Sequence, residues 1–319
     1  NYLNLKLKMA NKSILGLFVI AFLSISLIVS IPIFTLSIQL STYDVMEEID
    51  DSFIYAPMNS SPVEKLNIDV EWGNIEIKYV SPLVDYYAMI EVNIEMSGKN
   101  LAGRNYRDIF NVEWDGTSPS PSFIMEFNSN VDKLAVLPLI KNLTIFVNLK
   151  RGIIFDLNIT VEEGNVDIFV PFRVPINNII VQVTKGKVLY DFNYGTMEGN
   201  ITGRVNEGDI ELRTSNSRYT RNSNWNFTIE TGDLTLNISH NNDLIDLGAN
   251  ITGKTTLNDG RALFIYEDNS ADIGARFEIP FGKHTPRSFF PECLSNSLQN
   301  CFLDGFHYNE PVMINFIHN

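Results

Sequence analysis

Apolar and polar positions divide the chain into two regimes. Ile14 to Ile38 reads ILGLFVIAFLSISLIVSIPIFTLSI, and the 31 residues between Lys12 and Asp44 carry no charge. At about 1.5 Å per helical residue, roughly 20 such residues cross a hydrocarbon core of about 30 Å, so the pattern predicts a transmembrane helix over 13–40. A cleaved secretory signal is the other reading, but its apolar region is usually only about 7 to 15 residues long and ends at an A-x-A site. Here Ala21 is the last alanine before Ala56. The basic tail 1–12 is expected to stay in the cytoplasm and the acidic remainder outside, because lysines mark the inner flank. This implies a single-pass protein of the cell membrane with its C-terminal part extracytoplasmic, meeting lipid through residues 13–40.

After a linker expected at 41–61, alternation takes over. LNIDVEW, YYAMIEVNIEM, IFNVEW, SFIMEF and LTIFVNL each place apolar residues at every second position and are rich in Val, Ile, Phe and Tyr. These are half-buried strands, and the ectodomain is expected to be all-β.

One short pattern recurs: an aliphatic residue, two mostly polar ones, Gly, a polar residue, then apolar residues at alternate positions. It reads VEWGNIEI, VEEGNVDI, VTKGKVLY, VNEGDIEL, IETGDLTL and LNDGRALF, centred on Gly73, Gly164, Gly186, Gly208, Gly232 and Gly260. The last five glycines are 22, 22, 24 and 28 residues apart, a period typical of stacked repeats. The apolar positions on either side of Gly have opposite strand parity, so the chain must be re-phased there, which a glycine with positive φ permits. Two architectures fit: coils of a β-solenoid, or a meander of hairpins forming a β-sandwich. Equal spacing favours the first. The expected organisation is an N-terminal β lobe of sandwich-like character at 62–160, a β-repeat domain at 161–275 and a C-terminal cap at 276–319.

The recurrent units Gly164-Asn165-Val166, Gly208-Asp209-Ile210 and Gly232-Asp233-Leu234 resemble the adhesin domains of prokaryotic cell-surface proteins, whose short repeated strands make a solenoid-like sheet. The resemblance covers about 161–275, with 62–80 as an outlying strand pair. It implies a membrane-attached surface protein and brings no catalytic motif with it. The strand-rich stretch 80–160 and the end 276–319 depart from that pattern.

Charge narrows the partners. The chain has 319 residues and a net charge of -14; three of its 24 basic residues and none of its 38 acids precede residue 44, which leaves -17 on the outer part. Such a field repels phosphates, so no nucleic-acid partner is expected. Cys293 and Cys301 are the only cysteines, and an exterior location favours a disulfide between them, contributing at most about 3 kcal/mol because the loop is short. The sequons beyond the apolar segment, at Asn59, Asn142, Asn158, Asn200, Asn226, Asn237 and Asn250, are glycosylation candidates if exposed.

No catalytic, cofactor or metal motif is present. The four histidines are scattered, and H-E-x-x-H, G-x-S-x-G, Walker and EF-hand patterns are absent. Acidic groups near repeat corners, Asp243 with Asp246 and Glu267, Asp268 with Asp272, could suit Ca²⁺ or a polysaccharide, but the favoured reading is solvated turns. Tyr86, Tyr87, Phe146, Phe155, Phe169, Tyr190, Phe192 and Phe264 lie in apolar runs and are expected in the core. The sequence therefore points to an anchored surface protein that binds an unidentified ligand or scaffolds without catalysis. The alternative is a surface carbohydrate-active enzyme, which requires three or more carboxylates or basic groups converging in one groove.

Overall fold

The computed structural model describes residues 46–57, 61–97, 106–117, 120–193, 196–215, 218–219, 223–240, 249–255, 262–268, 276–281, 302–303 and 312–315, with side chains described in part of these. The expected tail 1–12, the membrane segment 13–40, Asn59, Asp243, Asp246, Gly260, Asp272, Cys293 and Cys301 lie outside them, as do the side chains of Asn250, Phe264, Glu267 and Asp268. Among the described residues no helix is long and apolar enough to cross a membrane. The chain divides into two units, 1–46 with 96–103 and 47–95 with 104–319. The second holds the sheets, apart from Met46, Met96 and Ser97 at strand ends.

The fold is all-β. The N-terminal part comprises β1 (Met46–Tyr55), β2 (Glu64–Trp72), β3 (Asn74–Val80), β4 (Ala88–Ser97), β5 (Phe110–Asp115), β6 (Ser122–Phe127), a single helical turn α1 (Lys133–Val136) and β7 (Ile140–Lys150). The repeat then runs through β8 (Phe155–Glu163), β9 (Val166–Val170), β10 (Pro175–Ile176), β11 (Ile179–Lys185), β12 (Val188–Asn193), β13 (Thr196–Met197), β14 (Ile201–Glu207), β15 (Ile210–Ser215), β16 (Arg218–Tyr219), β17 (Ser223–Thr231), β18 (Leu234–His240), β19 (Ala249–Thr255) and β20 (Ala262–Asp268). It is followed by β21 (Arg276–Phe281), β22 (Phe302–Leu303) and β23 (Val312–Asn315).

Three passages of the repeat, β8–β10, β11–β13 and β14–β16, each lay one strand on each of three sheets, and β17 with β18 and β19 with β20 extend the two larger ones. The first sheet has the order β1-β4-β7-β3-β9-β12-β15-β18-β20-β21, the second β22-β23-β19-β17-β14-β11-β8-β2-β6-β5, and the third, of two-residue strands, β10-β13-β16. Within the repeat all pairings are parallel and in register: Val161 faces Val183 and Val183 faces Val205, while Ile168 faces Tyr190 and Tyr190 faces Leu212. Antiparallel pairs occur at the ends, β5 with β6, β20 with β21, and β23 with β19 and β22.

Alternation does what the sequence demands of it. Inward positions such as Leu157, Ile159, Val161, Val166, Ile168 and Val170 are all at most 2% exposed. Each such side chain contributes roughly 1.5–3 kcal/mol by leaving water. Aromatic groups fill the wider part of the interior: the Tyr190 ring lies 5.7 Å from Phe227 and 5.9 Å from Phe192.

The uneven spacing is absorbed outside the strands. Met197 faces Tyr219 at an offset of 22, but Ile201 faces Trp225 at 24, so two extra residues fall between β16 and β17 while the register holds. In the next coil the offset is 26 on the second sheet and 28 on the first.

Two sequence boundaries come out differently. The first copy of the pattern is not outlying: β2 pairs with β8 and β3 with β9, so Gly73 begins the same stack as Gly164 although 91 residues separate them. Residues 81–154 are thus an insertion between two consecutive coils, adding β4 and β7 to one sheet and β6 and β5 to the other. The expected linker 41–61 contains β1. Its acids masked the alternation, and one of them is matched: Asp51 accepts from Tyr106 Oη at 2.6 Å and from Arg107 at 2.6 and 3.2 Å. Burial pushes the Asp51 carboxyl up, but these donors outweigh it and hold it below the usual carboxylate range.

Candidate functional site

The repeat presents a corner between the second and first sheets, another on re-entry into the second sheet, and the outer faces of these two sheets. At the corner between the second and first sheets, Gly73, Gly164, Gly186, Gly208 and Gly232 stand directly over one another. A Cβ on Gly208 would lie 1.7 Å from the carbonyl oxygen of Gly186, so no other residue fits. The column is tied by backbone bonds, Gly164 N to Lys185 O at 2.9 Å and Gly186 N to Glu207 O at 2.8 Å. The following residues add a side-chain ladder: Asn165 N donates to Asn74 Oδ1, Lys187 N to Asn165 Oδ1 and Asp233 N to Asp209 Oδ1. Lys187 also pairs with Asp209, which raises its pKa.

The corner leading back into the second sheet has a different construction. Asp156 Oδ1 accepts from Asn178 N at 3.1 Å, Asn178 Oδ1 from Asn200 N at 3.1 Å, and Asn200 Oδ1 from Asn224 N at 2.9 Å. Here a side-chain oxygen in each coil satisfies a backbone donor of the next. The pattern recurs at 22, 22 and 24 residues and was the signal available in the sequence.

The outer face of the second sheet is polar. One row reads Asn67, Asn158, Ile180, Thr202, Asn226 and, by register, Thr252. Strand alternation explains why sequons are frequent: in Asn142-Leu-Thr, Asn158-Ile-Thr, Asn200-Ile-Thr and Asn226-Phe-Thr the middle residue is buried and the flanking two point outward. Asn142, Asn158, Asn200 and Asn226 are exposed, and Asn237 is half-buried on the first sheet.

At the N-terminal end of this face lies an open groove of about 430 Å³, where Asp69, Glu71, Glu126 and Glu162 come from adjacent strands. Glu71, Glu162 and Thr184 share one row. Glu71 is engaged by Lys133 and by the Phe127 backbone N–H at 2.7 Å. Asp69, Glu126 and Glu162 are exposed, and among the described residues nothing closes the groove against water. Among the described residues no group of three or more His, Cys, Asp or Glu side chains is arranged to hold a metal ion.

The outer face of the first sheet mixes apolar and charged groups. Phe146, Glu76, Asp167 and Leu189 form one row, and Asn148, Lys78, Phe169 and Asp191 the next. Phe146 and Phe169 are therefore half-buried on the outside rather than in the core, whereas Phe155, Tyr190 and Phe192 are buried as expected. Burial, and then the charge of Glu76 beside it, push the Asp167 carboxyl up. Inside the coil the hydroxyls of Tyr190 and Thr214 have no hydrogen-bond partner among the described residues. Gly203 makes room for the first, since a Cβ there would lie 2.8 Å from Tyr190 Oη.

No family model and no curated protein matches the chain. Solved structures with some likeness include a candidate cell adhesion protein from Clostridium sporogenes, 11% identical with a TM-score of 0.36, covering 70% of this chain and 100% of that one. A candidate adhesin from Parabacteroides distasonis is 13% identical with a TM-score of 0.27, covering 70% and 97%. One from Parabacteroides merdae is 14% identical with a TM-score of 0.21, covering 70% and 95%. These likenesses are too distant to assign a family or an activity.

Proposed function

We propose that the chain is a membrane-anchored surface protein whose solenoid-like β ectodomain binds a ligand or partner, or acts as a scaffold, without catalysis. The supporting observation is the in-register parallel stack, which displays outward side chains as straight rows about 4.8 Å apart. Such a surface offers repeated, open contacts suited to an extended ligand. The apolar segment 13–40 supplies the anchor, the lysines before it the inner end, and the acidic part lies outside the cell. Cys293 and Cys301 form a disulfide there, and the exposed sequons are available for glycan attachment.

Protease added to intact cells is expected to digest the chain beyond residue 41, and the mass of the mature protein is expected to include residues 13–40. Protection of the acidic part, or a mature chain beginning after about residue 30, overturns the anchored-outside reading.

The carboxylate groove supports a second reading, a carbohydrate-active enzyme. Release of reducing ends from a polysaccharide by the purified chain, lost in Glu162→Gln, would establish it; no release from a broad polysaccharide panel favours binding.

A further inference from the structure

We infer that β5, the terminal strand of the second sheet, pairs antiparallel with β5 of a second copy of the chain about a two-fold axis at Val112. The two second sheets then join edge to edge. This association depends neither on the anchor nor on a ligand.

Hydrogen-bond direction across the β5–β6 pair fixes which backbone groups are left over. Asn128 N donates to Ile109 O at 2.8 Å, continuing the register in which Phe110 faces Phe127, so residues 109, 111, 113 and 115 bond towards β6. The far side of β6 agrees. Pro121 O accepts from Asn67 N at 3.0 Å and Phe127 N donates to Glu71 Oε2 at 2.7 Å, both towards β2. The N–H and C=O groups of Phe110, Val112 and Trp114 therefore point out of the sheet edge, where among the described residues no strand receives them. Edges that stay single are usually blunted by lysine, proline or a bulge. β5 has none of these: FNVEWD pairs with β6 over its whole length without a break.

The strand is also complementary to itself. In antiparallel pairing centred on Val112, Val112 meets Val112 of the second copy, Phe110 meets Trp114 and Asn111 meets Glu113. Val112, Phe110 and Trp114 are the residues whose backbone groups point outward, so each of their pairs exchanges both hydrogen bonds. An aromatic pair forms on either side of the axis, and no acid meets an acid. Asn111 Nδ2 already donates to Glu113 Oε1 at 3.0 Å within the strand, and the same two groups meet across the axis. Val112 and Trp114 are only half-buried, with Trp114 6.1 Å from Phe53, and an added strand covers what remains. The terminal strand of the first sheet, β1, offers no such match: centred on Ile49 it sets Glu47 against Asp51 and Glu48 against Asp50.

The test uses the full chain with Cys293 and Cys301 replaced by serine. In this register residue 111 lies opposite 113 of the second copy, with Cα atoms about 4.5 Å apart and within disulfide reach. Two copies of residue 111, or two of residue 113, lie about 8 Å apart and beyond it. Asn111→Cys and Glu113→Cys chains are oxidised separately and as a mixture, and the mixture is expected to yield covalent dimer at least about tenfold above either variant alone. In sedimentation, the parent chain is expected to run as a dimer and Val112→Pro, which removes an N–H pointing out of the edge, as a folded monomer. Equal yields in all three oxidations, no covalent dimer in any of them, or a parent chain that sediments as a monomer overturns the pairing. Should Val112→Pro fail to fold, the cross-linking decides alone.

Discussion

The corner that enters the first sheet and the corner that re-enters the second perform the same task by opposite means. At one, five glycines stack so closely that a Cβ on Gly164 would meet the Gly73 carbonyl oxygen at 1.8 Å; the corner exists because side chains are absent. At the other, Asp156, Asn178, Asn200 and Asn224 hand a backbone hydrogen bond from coil to coil; that corner exists because side chains are present. A steric requirement tolerates no substitution. A hydrogen-bonded ladder tolerates any side chain that keeps an acceptor in place, which is why both Asp and Asn occur there.

The largest expected effect comes from breaking the first corner. Gly208→Ala places a methyl group against Gly186 and forces positive φ (138°) on an alanine, so a loss of about 4 kcal/mol or more, or failure to fold, is expected by denaturant unfolding. Asn178→Ala leaves the Asn200 N–H without its acceptor and should cost about 1–2 kcal/mol in the same assay. Losses of equal size at both sites would erase the distinction.

Asn200 sharpens the comparison further. Asn200→Asp removes the sequon but keeps the acceptor for Asn224 N, whereas Asn200→Ala removes both. The alanine variant should lose about 1 kcal/mol and the aspartate variant much less. Equal losses would mean the ladder oxygen is idle.

Between the corners, Tyr190→Phe removes a buried hydroxyl without a described partner and is expected to raise stability by about 1 kcal/mol. A loss instead would show that the hydroxyl is satisfied in solution. The smallest effect is on the first sheet's outer face. Because the folded state raises the Asp167 pKa, ionisation there opposes folding at neutral pH, and the penalty fades as pH falls through the folded pKa. Asp167→Asn should therefore add about 0.5 kcal/mol at pH 7 and nothing at acid pH, as urea unfolding at the two pH values would read.

The same contrast explains what the sequence disclosed. The glycine corner was legible because only one residue type satisfies it, so its recurrence stands out against any composition. The asparagine corner was hidden in an Asn-rich chain, and Asn200 was noticed only as a sequon. All-β character followed from alternation, but the insertion did not: joining β2 to β8 requires a pairing across 91 residues that local pattern cannot express. β1 was concealed because MEEIDDSFIY reads as an acidic linker until Tyr106 and Arg107 are brought to Asp51. The carboxylate groove was invisible for the same reason, since Glu71, Glu126 and Glu162 meet only through sheet order.

The stacking itself is open to direct measurement. With Cys293 and Cys301 replaced by serine, nitroxides at Asp69 and at Arg204, Thr228 or Lys254 sit in one row of the second sheet, three, four and five strands apart. At about 4.8 Å per strand, dipolar EPR should return separations rising steadily near 14, 19 and 24 Å. Distances that fail to increase with each coil would contradict the parallel in-register stack.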